Sequence, residues 1–593
     1  MPTTRKPKTK IKTEWDLGLF YASVKDPQIE KDVLFLENLY AGFEKKYKGT
    51  SQYLTDEKVL AKTLSDWEKL NELGTWKPVL YLNYATDLNA ENTQAEALKN
   101  KLMQRLTVAS NKILFFQLSL GKISPDNQKK FLASTLLSPY RYFLKVIFDT
   151  SKHDLSEAEE KIVSLKYLPA RGLWVDGQEK LLSAQTVAFQ GKEIPLPEAF
   201  GKISQLPKAS RQKLHDDVMK KLKGISAFAE SEINALYTDK KIMDELRGFK
   251  HPYSGTILSY QNDEKSILTF VDTVNKHFSI SHRFYALKAK LLKQKELTYA
   301  DRAARVGTTD RKIDFTKSLD IMNQALGKLG SSKYQEILST FIERGQVDVY
   351  PRKGKRGGAY CSSSTGQPTL VLLNHTDSLN SVMTLGHEMG HAFHAELSKK
   401  LSPLYQDAPI SICEVASTLF ENFVFEEIFN TLTPKEKIVA LHDRLNDDIS
   451  TIFRQIACFN FELDLHMQVR EKGFVSKEAI AQSHNKHMKA YLGSKTVMKE
   501  TDGYFFVNWS HIRNHFYVYS YAYGQIISKA LYKKYKEDNS FMKQIEKFLS
   551  AGSSMSPEDI FKSIGIDTTD PAFFLDGLKQ VEEDIKTLEK LIK

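Results

Sequence analysis

Residues His387-Glu388-Met389-Gly390-His391 restrict this chain more than any other feature. They fit H-E-x-x-H, a spacing that puts two imidazoles on one face of a helix, one turn apart. Two such imidazoles can converge on one zinc ion at roughly 2.0–2.1 Å each. Glu388 is rotated by about 100° from His387. It therefore flanks the metal without filling the coordination shell, free to take a proton from a zinc-bound water. The alternative is an ordinary amphipathic helix with two solvated or core histidines. Against it, Val382, Met383, Leu385, Met389, Ala392 and Phe393 surround the polar residues and predict a buried helix. Buried His and Glu need partners, and a metal supplies them. Gly386 and Gly390 each cost about 1 kcal/mol in a helix interior relative to Ala, so backbone or substrate is expected to pass close by.

The 593 residues can bury a large core, and the net charge is +11. Part of that excess lies in residues 1–12, where Arg5, Lys6, Lys8, Lys10 and Lys12 alternate with Pro and Thr, as in a disordered basic arm. No basic module of a nucleic-acid reader follows, so no nucleic-acid partner is expected. The three cysteines, Cys361, Cys413 and Cys458, form no C-x-x-C pair. Neither a disulfide framework nor a cysteine zinc site is therefore indicated, and the count fits a reducing compartment. The start of the chain lacks a signal peptide's apolar stretch, and no apolar run suffices to span a membrane. The expectation is a cytoplasmic protein without a membrane partner.

Helical signals dominate. Ser156–Glu159 and Thr433–Glu436 read as capping boxes, and Pro557 follows Ser556 at a first helical position. The stretch 188–207, with three prolines and two glycines, reads as a connection. It divides an N-terminal helical domain, 13–200, from a catalytic domain, 201–593. Gln346–Tyr350 and Pro368–Asn374 read as short strands. Between them runs a Gly-rich, basic loop with Lys353, Lys355, Arg356, Gly357, Gly358 and Ala359. An edge strand here could pair with an extended peptide, which makes Gly358, Ala359 and Tyr360 candidate substrate-binding residues. A structural hairpin is the plainer reading.

Catalytic zinc usually takes three protein ligands. His394 lies about 10.5 Å along the axis from His387 at 1.5 Å per residue, too far to share an ion with it. The segment Ser411–Phe429 reads as a helix, apolar around Glu414 and Glu421, which share a face. A lone buried Glu is costly unless paired or metal-bound. Glu414 is assigned to the metal, and Glu421 to orienting a ligand imidazole. Asp407 is a weaker alternative.

Three stretches, RGGAYCSSS (356–364), LLNHTDSLNSVMTLGHEMGHAFH (372–394) and ICEVASTLFEN (412–422), resemble the thimet-oligopeptidase superfamily of zinc metallopeptidases, and its oligoendopeptidase F branch in particular. In that family the metal-binding glutamate lies in an E-V-A-S-T helix, which lands on Glu414. A thermolysin-like spacing would need a glutamate near Ser411, and none is there. Trp15-Asp16-Leu17 also resembles the family's opening, so the likeness spans nearly the whole chain.

A second cluster, Trp509 to Gly524, holds His511, His515 and the alternating Tyr517, Tyr519, Tyr521 and Tyr523. By pattern alone it is a half-buried strand or an aromatic core. A peptidase, however, needs hydrogen-bond donors at the developing oxyanion, and His and Tyr are suitable. In the resembling family a histidine followed by tyrosines has this role. His511 fits it best, with His515 second, and Tyr517 and Tyr523 are the favoured tyrosines.

The resemblance implies a mainly α fold with a zincin-like catalytic domain, a small sheet beside the H-E-x-x-H helix, and two helical lobes enclosing a deep channel. It implies one Zn2+ per chain and cleavage of internal bonds in short unstructured oligopeptides, by zinc-bound water that Glu388 activates. One rival is a zinc carboxypeptidase, which would need a fixed cation such as Arg356 or Arg513. The other is a helical scaffold stapled by zinc, which would have no use for Glu388.

Overall fold

The computed structural model describes residues 11–309 and 311–593, so the basic arm expected over 1–12 lies almost wholly outside the described residues. The described residues are mainly helical, with three small sheets of two or three short strands among them. The sequence-level helix starts are in place. Thr433 and Glu436 close a reciprocal capping box, Ser156 and Glu159 exchange side-chain to main-chain bonds, and Ser556 caps the Asp559 N–H. No helix among the described residues is long and apolar enough to cross a membrane.

Two compact units form, each from separated stretches of chain. The first comprises 1–152, 311–430 and 534–564; the second comprises 153–310, 431–533 and 565–593. Stretch 188–207 belongs to the second unit. There it folds as a tight hairpin, Thr186–Phe189 against Lys192–Pro195, and then the helix Leu196–Ile203. Its prolines mark helix starts, at Pro195 and Pro207, as rigid φ angles suit.

In the first unit, the amino-terminal helices gather around an aromatic core in which Phe43, Trp67 and Phe116 meet with ring centroids 4.9–5.4 Å apart. The same core takes in Leu370 and Leu372 from a three-stranded sheet. Its strands are β1 (Val347–Asp348), β2 (Tyr360–Ser362) and β3 (Leu370–Leu372), in the order β1-β3-β2. The two expected strands exist as β1 and β3, but they run parallel. The basic loop between them contains β2, antiparallel to β3. Chemistry explains the fold-back. Lys355 is buried, with its ammonium 2.7 Å from Asp348 and 2.9 Å from the Tyr350 carbonyl oxygen. Gly354 and Gly358 supply left-handed turns at φ +82° and +78°.

Trp15 pins this sheet. Its indole N–H donates to the Val371 carbonyl at 2.8 Å and to the Gln346 carbonyl at 3.1 Å. The Asp16 N–H donates to Gly345 O at 2.7 Å, and the Val349 N–H donates to Thr13 O at 2.9 Å. Residues 13–16 thus cover the outer edge of β1. A side chain at Gly345 would meet the Glu14 carbonyl at 2.9 Å, so the close approach needs glycine there. Among the described residues, β2 pairs only with β3 and keeps an open edge.

Trp15→Phe keeps the ring packing and removes both indole bonds. Leaving buried carbonyls short of a donor costs about 1–3 kcal/mol, so the thermal midpoint is expected to fall by a few degrees. An unchanged midpoint in calorimetry would show that Trp15 does not hold the sheet.

Candidate metal centre and active site

The H-E-x-x-H residues lie on helix α1 (Leu379–Ser398), whose start is capped by Ser378. The glutamate-bearing helix is α2 (Ile410–Thr431). What brings them together is the absence of a side chain at Gly390. A Cβ there would lie 2.7 Å from the Ser417 Cα and 2.9 Å from the Ala416 carbonyl oxygen. One at Gly386 would lie 3.0 Å from Val424. The glycines expected to admit backbone or substrate admit the backbone of α2 at Gly390 and the Val424 side chain at Gly386.

At this distance His387 Nε2 and His391 Nε2 both face the Glu414 carboxylate, at 3.4 and 3.7 Å. Ligand atoms of all three residues lie within 4.8 Å of one another. Glu421, one face-repeat further along α2, sits 3.3 Å from His387 Nδ1. A carboxylate can only accept there, so it fixes Nδ1 as a donor and leaves Nε2 facing Glu414. The donor set suits a zinc ion. Electrostatics agree. Despite burial, Glu414 and Glu421 hold the His387 pKa up to about 10, so without a metal the ring carries protons on both nitrogens and the two carboxylates hold a positive charge here; a cation would take the place of the Nε2 proton. Burial holds His391 down to about 4.

Glu388 is buried and turned aside from the histidine pair. Burial raises its carboxyl to about 7, and it accepts a hydrogen bond from the Cys361 N–H of β2. Glu388, Glu414, both histidines, Ala359 and Tyr360 line one cavity of about 440 Å³. Gly358 is not among its lining residues; its carbonyl accepts from Asn374 at 2.7 Å. His394 packs against Phe548 with ring centroids 5.7 Å apart, and Asp407 lines the same cavity.

The aromatic cluster lies in the second unit. It is not a strand: a short turn of helix, Ser510–Arg513, leads through left-handed residues His515 (φ +39°) and Phe516 (φ +64°) into helix α4 (Tyr519–Glu537). The preceding long helix, α3 (Gln455–Lys472), supports that turn, because Glu462 accepts the Phe516 N–H at 2.9 Å. His511 Nδ1 is bonded to the Tyr517 hydroxyl. Gln455 places its amide nitrogen 3.4 Å from His511 Nε2. Burial, then the charge of Arg454, holds His511 at about 4, so it is neutral. An amide nitrogen only donates; His511 Nδ1 then carries the proton and donates to Tyr517, whose own O–H is hydrogen-bonded to Tyr521.

The tyrosine expectation needs correcting. On a helix, residues two apart face nearly opposite ways, so the tyrosines of α4 are split. Tyr523 is fully buried against Phe270 and Phe574, 5.4 and 6.0 Å away, and is not brought to His511. Tyr521 is, with ring centroids 6.3 Å from His511 and 5.7 Å from Tyr517. A helical reading of the segment would have found it.

A second His₂Glu group, Glu462, His466 and His515, also gathers within 4.8 Å. Its tautomer is wrong for a metal. The Arg470 guanidinium, a donor only, lies 3.1 Å from His466 Nδ1, which puts the proton of the neutral ring on the Nε2 that a metal would need. Tyr237 stacks on the same imidazole at 3.8 Å. This group is a packed part of the core. Both carboxypeptidase candidates are engaged too: Arg513 is forked onto Glu232 at 2.7–2.8 Å, and Arg356 lies 3.3 Å from Asp87.

Comparison with known proteins places the chain in a family. The pattern of peptidase family M3 matches residues 208–580, and that of oligopeptidase F matches 120–185. Oligopeptidase PepF of Bacillus subtilis is 27% identical over 92% of this chain and 83% of its own. An oligoendopeptidase F homolog of Borreliella burgdorferi is 25% identical over 94% and 95%. Among solved structures, a Chlamydophila abortus protein superposes with a TM-score of 0.85 at 22% identity, covering 98% of each chain. Oligoendopeptidase-F from Enterococcus faecium gives 0.69 at 20% identity, covering 95% and 99%. The chain belongs to peptidase family M3, in its oligoendopeptidase F group, and is a metalloendopeptidase.

The role of Gly390 can be tested. Gly390→Ala must push α2 away from α1. Such overpacking costs about 1–3 kcal/mol, and zinc affinity should fall with it. Equal zinc affinity in a competition titration against a chromophoric chelator would show that the helices meet without needing the glycine.

Proposed function

We propose that the chain is a zinc-dependent endopeptidase that cuts internal bonds of short, unstructured oligopeptides in the cytoplasm. His387, His391 and Glu414 would hold the zinc, and Glu388 would act as general base. One observation carries this: both Nε2 atoms face Glu414, with Glu421 behind His387 and Glu388 left out of the cluster. When bound, the ion supplies Lewis-acid chemistry, polarising a carbonyl and making water acidic enough to lose a proton near neutrality. Glu388 takes that proton and passes it to the leaving amine. The open edge of β2 aligns the peptide main chain through Ala359 and Tyr360, as strand addition allows for any sequence. Gly358 shapes the turn into that strand. Tyr517, held by His511, would turn its O–H from Tyr521 to the developing oxyanion. This last role rests on the family resemblance and on the His511–Tyr517 bond.

The metal assignment predicts that a chelator abolishes cleavage of an internally quenched peptide blocked at both ends, and that added zinc restores it. Glu414→Ala should lose zinc and activity together; full zinc occupancy in that variant would move the ligand role to Asp407 or Glu421. Glu388→Gln should keep zinc and lose about 10²–10⁴-fold in kcat.

Tyr517→Phe and His511→Ala should each retain zinc. Each should lower kcat and kcat/KM together, by about 2.7–4 kcal/mol if the analogy with a lost oxyanion donor holds. A change confined to KM would assign the pair to ground-state binding. Intact casein should resist cleavage, and its rapid degradation would rule out selection for short peptides.

A further inference from the structure

Beside the metal cavity, within the first unit, lies a larger one of about 790 Å³, a size typical of ligand clefts. Gln406 lines both. Its amide nitrogen donates to the Lys399 carbonyl at 3.3 Å and to the Leu401 carbonyl at 3.0 Å, which holds it at the end of α1. The other walls pass from one cavity to the next in step. On α1, Ala395 and Ser398 line the metal cavity, and Glu396 and Lys399 line the larger one. Along β2 and beyond it, Ala359, Cys361 and Ser363 line the first, and the turn 365–368 lines the second. The sheet register explains this order. Ser362 pairs with Leu370 and Val347 with Val371, so β2 ends where β1 and β3 begin. The open edge of β2 therefore leads out of the metal cavity towards the larger one.

The lining of the larger cavity suits uncharged chain. One wall is a face of the helix Lys333–Arg344, where Ile337, Thr340, Phe341 and Arg344 recur at helical spacing. Ile337 and Phe341 join Pro368 and Leu401 in an apolar lining. Three Lys and Arg side chains are matched there by three glutamates, so neither sign prevails; Lys399 pairs with Glu396 at 2.6 Å. Distance sets what can reach it. From His391 to Lys399, α1 advances about 12 Å at 1.5 Å per residue, which an extended peptide spans in about four residues. On the strand side, Cys361, whose N–H meets Glu388, stands four positions before Thr365. Both walls give the same interval. Direction follows from pairing. Antiparallel strands bond slightly better than parallel ones, and a peptide antiparallel to β2 has its N-terminal side towards Ser362 and the larger cavity.

We propose that this cavity is a distal subsite for the peptide substrate, filled by residues about four to six positions N-terminal to the bond that is cut, with a preference for an apolar side chain there. This rests on the reading that β2 aligns the peptide at the metal. Binding energy from such remote residues can be used at the reacting centre, so peptides too short to reach the cavity are cut slowly even though they span the metal.

The test uses the zinc-loaded full chain and internally quenched peptides, blocked at both ends, that share one cleaved bond. One series grows by single residues on the N-terminal side, the other on the C-terminal side. In the first, kcat/KM should step up about tenfold between about three and six residues, and Leu should serve better than Asp or Lys at the added positions. Thr340→Trp, which fills the cavity from its helix wall, should flatten the step. Ser339→Trp, exposed one position round the same helix, should keep it. No step, a step on the C-terminal side alone, or a step that survives Thr340→Trp overturns the proposal. A second measurement needs neither turnover nor a cavity variant. Glu388→Gln protein is irradiated with a peptide carrying a benzophenone side chain about five residues before the bond, and the adduct is mapped by mass spectrometry. An adduct within Lys333–Arg344 or 365–368 supports the subsite; one confined to other segments, or none, overturns it. If the wild type cuts no peptide but this adduct forms, the peptidase reading fails and peptide binding in the cavity stands.

Discussion

The close packing of α1 on α2 at Gly390 is the contact on which the rest of this structure depends. A zinc site of three side chains tolerates little error in ligand position, and the three proposed ligands come two from one helix and one from its neighbour. Without a Cβ at Gly390, the Ser417 backbone comes close enough for the Glu414 carboxylate to meet both imidazoles. Periodicity does the remainder. Glu421, seven residues beyond Glu414, stands on the same face and meets the far nitrogen of His387. The intrinsic penalty of two helix glycines is the cost of that geometry.

Two groups with the same donor set, His₂Glu, show how the surroundings decide what such a trio does. At His387 the outer nitrogen faces the Glu421 carboxylate and keeps its proton, so the inner one, facing Glu414, can give up its own to a cation. At His466 the outer nitrogen faces Arg470, so the inner one carries a proton. The first group suits a cation and the second suits the core. The Glu462 carboxylate of that second group still has a use, because it holds the Phe516 N–H and with it the left-handed turn that presents Tyr517 to His511.

Much of this was legible in the sequence because it is local. Capping residues, the H-E-x-x-H spacing and the seven-residue interval on α2 each need only a few neighbouring positions. Strand β2 was not legible: three residues carry no period, and its place is set by Lys355 burying its charge against Asp348. Tyr521 was missed in favour of Tyr523 because alternation was read on a segment that proved helical. The larger cavity takes its walls from the helix Lys333–Arg344, the turn after β2 and the end of α1, so only the folded chain reveals it. Trp15 was noticed as part of a resemblance; its bonds to the catalytic sheet required the structure.

The cavity also holds two thiols, Cys361 and Cys413, and thiolates are strong zinc ligands. Burial raises the pKa of both, Cys413 to about 12, and neither sulfur joins the group of His387, His391 and Glu414 whose ligand atoms gather within 4.8 Å. X-ray absorption at the zinc edge of the metal-loaded protein therefore tests the central claim most directly. The account predicts a shell of nitrogen and oxygen at about 2.0–2.2 Å with the outer scattering of two imidazoles and no sulfur. A sulfur shell near ~2.3 Å, or the scattering of a single imidazole, would contradict it.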